Sequence, residues 1–184
     1  LFMKALAKDT ERAFLRGVRN DTDTREMRGA LNWVTTNLSM GAGATLNSDG
    51  TITGGADRPL DNTILRNLAE NVFNNSTGEP NTIYCSSTLT QAFTNLAGAG
   101  NYRQMVEQGK LNSYVNVYAT EFDFEFQIKP HRLMPAKTIF LCDHKTWKKA
   151  ILQPAKKEEF GFNSDGDQYA IVEELTLEAR AELC

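Results

Sequence analysis

Side chains able to do acid–base or nucleophilic chemistry are few, with two histidines, His131 and His144, and three cysteines, Cys85, Cys142 and Cys184. A nucleophilic triad needs a nucleophile, a base and an orienting acid, and Cys142-Asp143-His144 sets one of each side by side. Neighbours along an extended chain point to opposite faces, so adjacency alone makes no hydrogen-bonded dyad and a structural role is the stronger reading of Asp143 and His144. The same trio offers three metal-ligand types. A zinc site takes about four, and no second Cys/His cluster stands at a suitable spacing, so no metal is expected.

Other patterns resolve in the same direction. Gly41-Ala42-Gly43-Ala44-Thr45 and Gly98-Ala99-Gly100 offer backbone N–H groups to a phosphate, but lack the Gly-Lys-Ser/Thr ending of a P-loop and the third glycine of a dinucleotide fingerprint. Asn163-Ser164-Asp165-Gly166-Asp167 opens like a calcium loop, yet the bidentate glutamate due later is missing where Ala170, Ile171 and Val172 stand. The acidic pairs Glu158-Glu159 and Glu173-Glu174 lie in charged surroundings with no sign of a desolvating cleft. Lys145, Lys148, Lys149, Lys156 and Lys157, with Trp147 among them, form the one basic concentration, and Glu158 and Glu159 offset it. No cofactor, small-molecule substrate or enzymatic activity is expected, the residual enzyme reading being a small α/β enzyme using Cys142 or His144.

Composition narrows the class. Of 184 residues 41% are hydrophobic and 23% charged, the balance of a folded chain. A net charge of -3 gives no overall attraction for phosphates. The apolar run Thr138-Ile139-Phe140-Leu141-Cys142 falls far short of the roughly 18 residues of a membrane span. The cysteine spacing fits neither a disulfide framework nor a zinc pair-of-pairs, so reduced thiols are expected.

The elements that must carry these residues follow from periodicity. Met3, Leu6, Ala7, Ala13, Phe14 and Leu15 predict an amphipathic helix over 3–16, stopped by Gly17. Leu31, Trp33 and Val34 enter a buried element of open type, after a polar surface turn over 18–24. Residues 41–59 hold five glycines and read as a long loop or irregular hairpin, turning at Asn47-Ser48-Asp49-Gly50. Asp61 reads as the N-cap of a helix striped by Ile64, Leu65, Leu68, Val72 and Phe73. A short strand, Thr82-Ile83-Tyr84-Cys85, precedes a helix capped by Ser86 or Ser87. Strands are expected over 113–119, 122–128 and 138–142, with Phe122, Phe124, Phe126 and Ile128 on one face. Residues 143–149 read as a short polar connection around Trp147, and 168–177 as a long strand that continues or turns helical over 178–183. The fold class is α+β, with helices early and strands late.

Short strings in order along nearly the whole chain carry a resemblance. They are Lys8-Asp9-Thr10-Glu11-Arg12-Ala13-Phe14-Leu15, Met27-Arg28-Gly29-Ala30-Leu31 with Trp33, and the run from Leu60-Asp61 to Phe73. Val115-Asn116-Val117-Tyr118, Arg132-Leu133-Met134-Pro135 and Leu141-Cys142-Asp143 follow, and the last is Glu173-Glu174-Leu175-Thr176-Leu177-Glu178-Ala179-Arg180-Ala181-Glu182. Together they resemble the tailed-phage major capsid proteins of the Hong Kong 97-type fold, in the group similar to the phage SU-ten capsid protein.

The resemblance implies a shell subunit of a virion, assembled in the bacterial host cytoplasm from hexamers and pentamers of itself. Double-stranded DNA would lie nearby without specific contact, and no membrane is involved. It implies a spine helix and peripheral segment over 1–29, an axial domain of helices on a mixed sheet over 30–164, and a returning peripheral strand over 165–184. Family-motif or subunit-contact candidates are Asp9, Glu11, Arg12, Arg28, Arg132, Met134, Pro135, Asp143, Glu174, Glu178 and Arg180. Loops 41–58 or 98–105 would lie near the symmetry axis. Relatives carry an N-terminal arm and extended loop ahead of the helix and run on past the last residue here, so the chain is expected to be a core fragment. A prophage-derived or nanocompartment shell protein shares the same logic.

Overall fold

The computed structural model of the chain describes residues 2–19, 26–75, 78–96, 117–160 and 168–180. Helix α1 (Phe2–Arg16) forms where predicted, with Leu6, Ala13, Phe14 and Leu15 of the stripe half-buried beside Thr10, whereas Met3 and Ala7, also expected there, are exposed. It stops where Gly17 N–H bonds the Ala13 carbonyl at 2.8 Å. The buried element of open type is a single helical turn, α2 (Ala30–Trp33). Gly29 N–H donates to the Gly17 carbonyl at 2.9 Å and Asn32 Nδ2 reaches the same oxygen at 2.7 Å. A Cβ on Gly29 would overlap the backbone of Leu15, Arg16 and Gly17, so glycine alone permits this crossing.

The glycine-rich segment is a hairpin of β1 (Ala44–Leu46) and β2 (Ile52–Gly54), turning at residues 47–51 with Gly50 at φ +74°. Asp49 holds that turn by accepting from Thr51 N–H at 3.0 Å and from the Thr51 hydroxyl, and its other oxygen takes Arg16 at 2.9 Å. These bonds set the Asp49 carboxyl below its ordinary 3.8, the Thr51 hydroxyl contributing most.

Helix α3 (Asn62–Asn75) begins after Asp61, whose carbonyl accepts the first backbone bonds, and it buries Leu65, Ala69 and Val72. Phe73, expected in the stripe, is instead 56% exposed and packs on Phe122 and Phe124. Strand β3 (Thr82–Cys85) leads into α4 (Ser87–Leu96). With β4 (Val117–Ala119), β5 (Glu125–Pro130) and β6 (Ile139–Cys142) it forms a mixed sheet of order β4-β5-β3-β6, in which only β3 and β5 run parallel.

Two expectations are corrected here. The strand predicted from Phe122 starts only at Glu125, because Thr120 and Phe124 close a turn (Thr120 N–H to the Phe124 carbonyl, 2.9 Å) that puts Asp123 at φ +65°. The connection predicted over 143–149 is a 3₁₀ turn (His144–Thr146) that opens a 14-residue strand, β7 (Trp147–Phe160). Its lysines and Pro154 hide it in the sequence, yet it pairs along its length with β8 (Gln168–Ala179) as a two-stranded ribbon. The turn expected at Asn163-Ser164-Asp165-Gly166-Asp167, loop 98–105, residues 113–116 and Cys184 lie outside the described residues.

The sheet has a core on each face. Under α3 and α4, Leu65, Ala69 and Phe93 meet Ile83, Cys85, Phe126, Ile128 and Leu141. On the other face Phe140, Cys142 and Met134 meet Ala30 and Leu31, with Leu15, Tyr84, Trp147 and Leu177 half-buried around them. This second core joins α1, α2, the sheet and the base of the ribbon.

Candidate functional site

Asp143 and His144, adjacent in sequence, engage different partners. Asp143, nearly fully buried, turns away from His144 and accepts from Lys145 N–H at 2.9 Å, while its carbonyl takes the Thr146 hydroxyl at 2.8 Å. It caps the 3₁₀ turn. His144 Nε2 instead shares a 2.7 Å hydrogen bond with the Tyr84 hydroxyl, and its Nδ1 faces Thr82 Oγ1 at 3.5 Å. Partial desolvation of the exposed His144 ring pushes it below its ordinary 6.5, Lys129 adds to that, and Asp143 opposes it. Burial raises the Cys85 thiol, the wrong direction for a nucleophile. Cys142 is buried in the second core. Among the described residues no three metal-ligating side chains come together. No described helix is long and apolar enough to cross a membrane.

The residues singled out in the sequence sort into a hub and a fringe. Glu11 Oε1 meets His131 Nε2 at 2.8 Å, tying α1 to the turn that carries Arg132, Met134 and Pro135. Leu133 N–H donates to His131 Nδ1 at 3.3 Å, which leaves Nε2 to carry the proton toward Glu11. Met134 and Pro135 are buried. Arg28 lies over the Trp33 ring, 4.8 Å from its centre. Arg180 N–H closes on the Thr146 carbonyl at 2.8 Å, locking the end of β8 to the turn that Asp143 caps, and its guanidinium takes Glu178 at 3.1 Å. Asp9, Arg12, Arg132 and Glu174 are exposed.

Sequence reasoning missed Tyr84, whose ring is flanked edge-on by His131 at 5.8 Å and His144 at 5.7 Å. It also missed the Gly17–Gly29 crossing, although Gly29 stands inside one of the quoted strings. What the arrangement does chemically is hold: it welds a helix, a sheet and a ribbon at one junction.

A family model for the SU10 major capsid protein matches residues 2–184. The chain belongs to the SU10 major capsid protein family. No curated protein matches it. A phage major capsid protein is a structural component of the virion, and that role needs subunits that stay rigid and meet one another. In this member of the family, the hub ties helix, sheet and ribbon together. The mixed α/β architecture agrees with the expected α+β class.

Proposed function

We propose that this chain is the shell-building subunit of a phage head with the Hong Kong 97-type arrangement. Helix α1 serves as spine within the peripheral segment 1–29, residues 30–164 form the axial domain, and 165–184 return to the periphery. The ribbon ladder binds β7 of the middle segment to β8 of the returning one. The observation that carries the reading is the family match over residues 2–184.

Copies then meet through heterologous contacts, which close into rings when the rotation permits, giving hexamers and pentamers with the 41–58 hairpin toward the axis. Assembly takes place in the bacterial host cytoplasm, and packaged DNA lies near the shell without specific contact. The motif residues at the hub, Glu11, Met134, Pro135, Asp143 and Arg180, fix subunit shape. The exposed ones, Asp9, Arg12, Arg132 and Glu174, are left to face neighbours. Negative-stain electron microscopy of the protein expressed in bacteria from its full reading frame tests this. Uniform icosahedral particles are expected, and a protein that stays monomeric at every salt and concentration refutes it.

A further inference from the structure

The β7–β8 ribbon has an outer edge on each side and opposite charge on its two strands. Strand β7 carries Lys148, Lys149, Lys156 and Lys157 against Glu158 and Glu159, whereas β8 carries Glu173, Glu174 and Glu178 with no lysine or arginine. Some of this charge is matched inside the chain. Lys149 pairs with Glu173 at 2.9 Å across the ribbon, and Lys156–Glu158 and Lys157–Glu159 are pairs along one strand, exposed and therefore weak. Lys148 and Glu174 are both exposed, and no ion pair among the described residues engages either. The register puts Lys148 opposite Glu178 and Glu174 opposite Gln153, so Lys148 and Glu174 share one face of the ribbon.

Between them the ladder shifts register twice, from Ile151 to Gln153 and from Gln153 to Lys156. Pro154 has no N–H to give, so this part of the β7 edge takes no added strand. What it presents is side chains: Leu152 is 82% exposed and Ile151 54%. Two adjoining aliphatic side chains held out by a bulge and flanked by lysines fit a surface that is apolar at its centre and acidic at its rim. The β8 side of the same ribbon supplies the acidic rim, with Glu174 and Glu178 exposed, and between and beside them lie the Thr176 methyl and half-buried Val172.

Resting on the shell reading, we infer that the β7 edge of one copy docks on the β8 edge of a second copy, Leu152 seated against it and Lys148 paired with Glu174. The contact is heterologous, since each copy gives a basic edge and receives on an acidic one, and so it propagates around a ring. A knob of two side chains covers far less than the roughly 1,200 Å² of a stable pair, so it directs contacts between copies already held in an assembly.

The test co-expresses two differently tagged full-length chains, one Lys148→Cys and one Glu174→Cys, both with Cys184→Ser. A disulfide joining the two tags under mild oxidation is expected, and it should drop at least tenfold when Leu152→Asp is added to both. In parallel, Lys148→Glu should reduce particle yield and the Lys148→Glu/Glu174→Lys double variant restore it. Particles that form without the mixed disulfide overturn this contact and leave the shell reading standing. Chains that never associate overturn both.

Discussion

At Gly29 and Gly17 two backbone segments touch with no room for a methyl group. A Cβ on Gly29 would strike Gly17, Arg16 and Leu15, all backbone, and none of them can rotate away as a side chain would. Overpacking typically costs about 1–3 kcal/mol and more where nothing can give way, so Gly29→Ala should lower the unfolding free energy obtained from urea titration by about 3 kcal/mol or more. Gly43→Ala, where open space surrounds the glycine but φ is +76°, should cost roughly 1 kcal/mol. Equal effects would remove the crossing from the account. His144 gives a second residue-scale expectation. Its folded value lies below its ordinary 6.5 because of partial desolvation, so the unfolded chain binds the proton first as pH falls. Stability is therefore complete above 6.5 and declines below it until the pH passes the lowered folded value. Urea midpoints measured at pH 8 and pH 5.5 should fall further for the parent than for His144→Gln. An identical fall in both would show that His144 does not titrate in the folded state as described.

Elements differ in how firmly the molecule holds them, and that difference also decided what could be read in advance. Helix α3 buries Leu65 to 3% exposure in the core of the sheet, whereas Leu6 of α1 is only half-buried. Leu65→Ala should cost about 2–5 kcal/mol and Leu6→Ala roughly 1 kcal/mol, measured by urea unfolding monitored through tryptophan fluorescence. A larger loss at Leu6 would mean that α1 is part of the central core. Helices α1, α3 and α4 and strands β3, β6 and β8 were legible because each carries its own apolar pattern and a local start or stop, such as Asp61 before α3 or Gly17 after α1. Strand β7 was not, since its order depends on a partner residues away: a run holding four lysines and Pro154 looks like a connection until β8 lies beside it. The start of β5 was misplaced because the Thr120–Phe124 turn is held by hydrogen bonds that the Phe-alternation does not encode. The hub was legible only as strings such as Arg132-Leu133-Met134-Pro135, whereas the bonds that unite them, Glu11 to His131 and Arg180 to Thr146, cross too much sequence for any spacing rule.

For the whole molecule, charge decides how strongly the chain can hold DNA. The net charge is -3, and the lysines with described ion pairs are tied to carboxylates: Lys137 to Asp57 at 2.7 Å, Lys149 to Glu173 at 2.9 Å, and Lys156 and Lys157 to Glu158 and Glu159. Each phosphate contact releases condensed counterions and steepens the salt dependence by about 0.9 in log K per log salt. Breaking an existing pair to make such a contact returns little, because one carboxylate partner is exchanged for one phosphate. The chain should therefore bind a 30-base-pair duplex only at low salt, with a slope no steeper than about two contacts imply. Fluorescence anisotropy across a salt series measures it. A slope on the order of six contacts would mean that the ribbon lysines leave their carboxylates for phosphates, and the ribbon would then be a nucleic-acid surface. A shallow slope leaves the paired lysines with their carboxylates and leaves Lys148, which no described ion pair engages, to meet a second subunit, the use its place on the strand that exposes Leu152 favours.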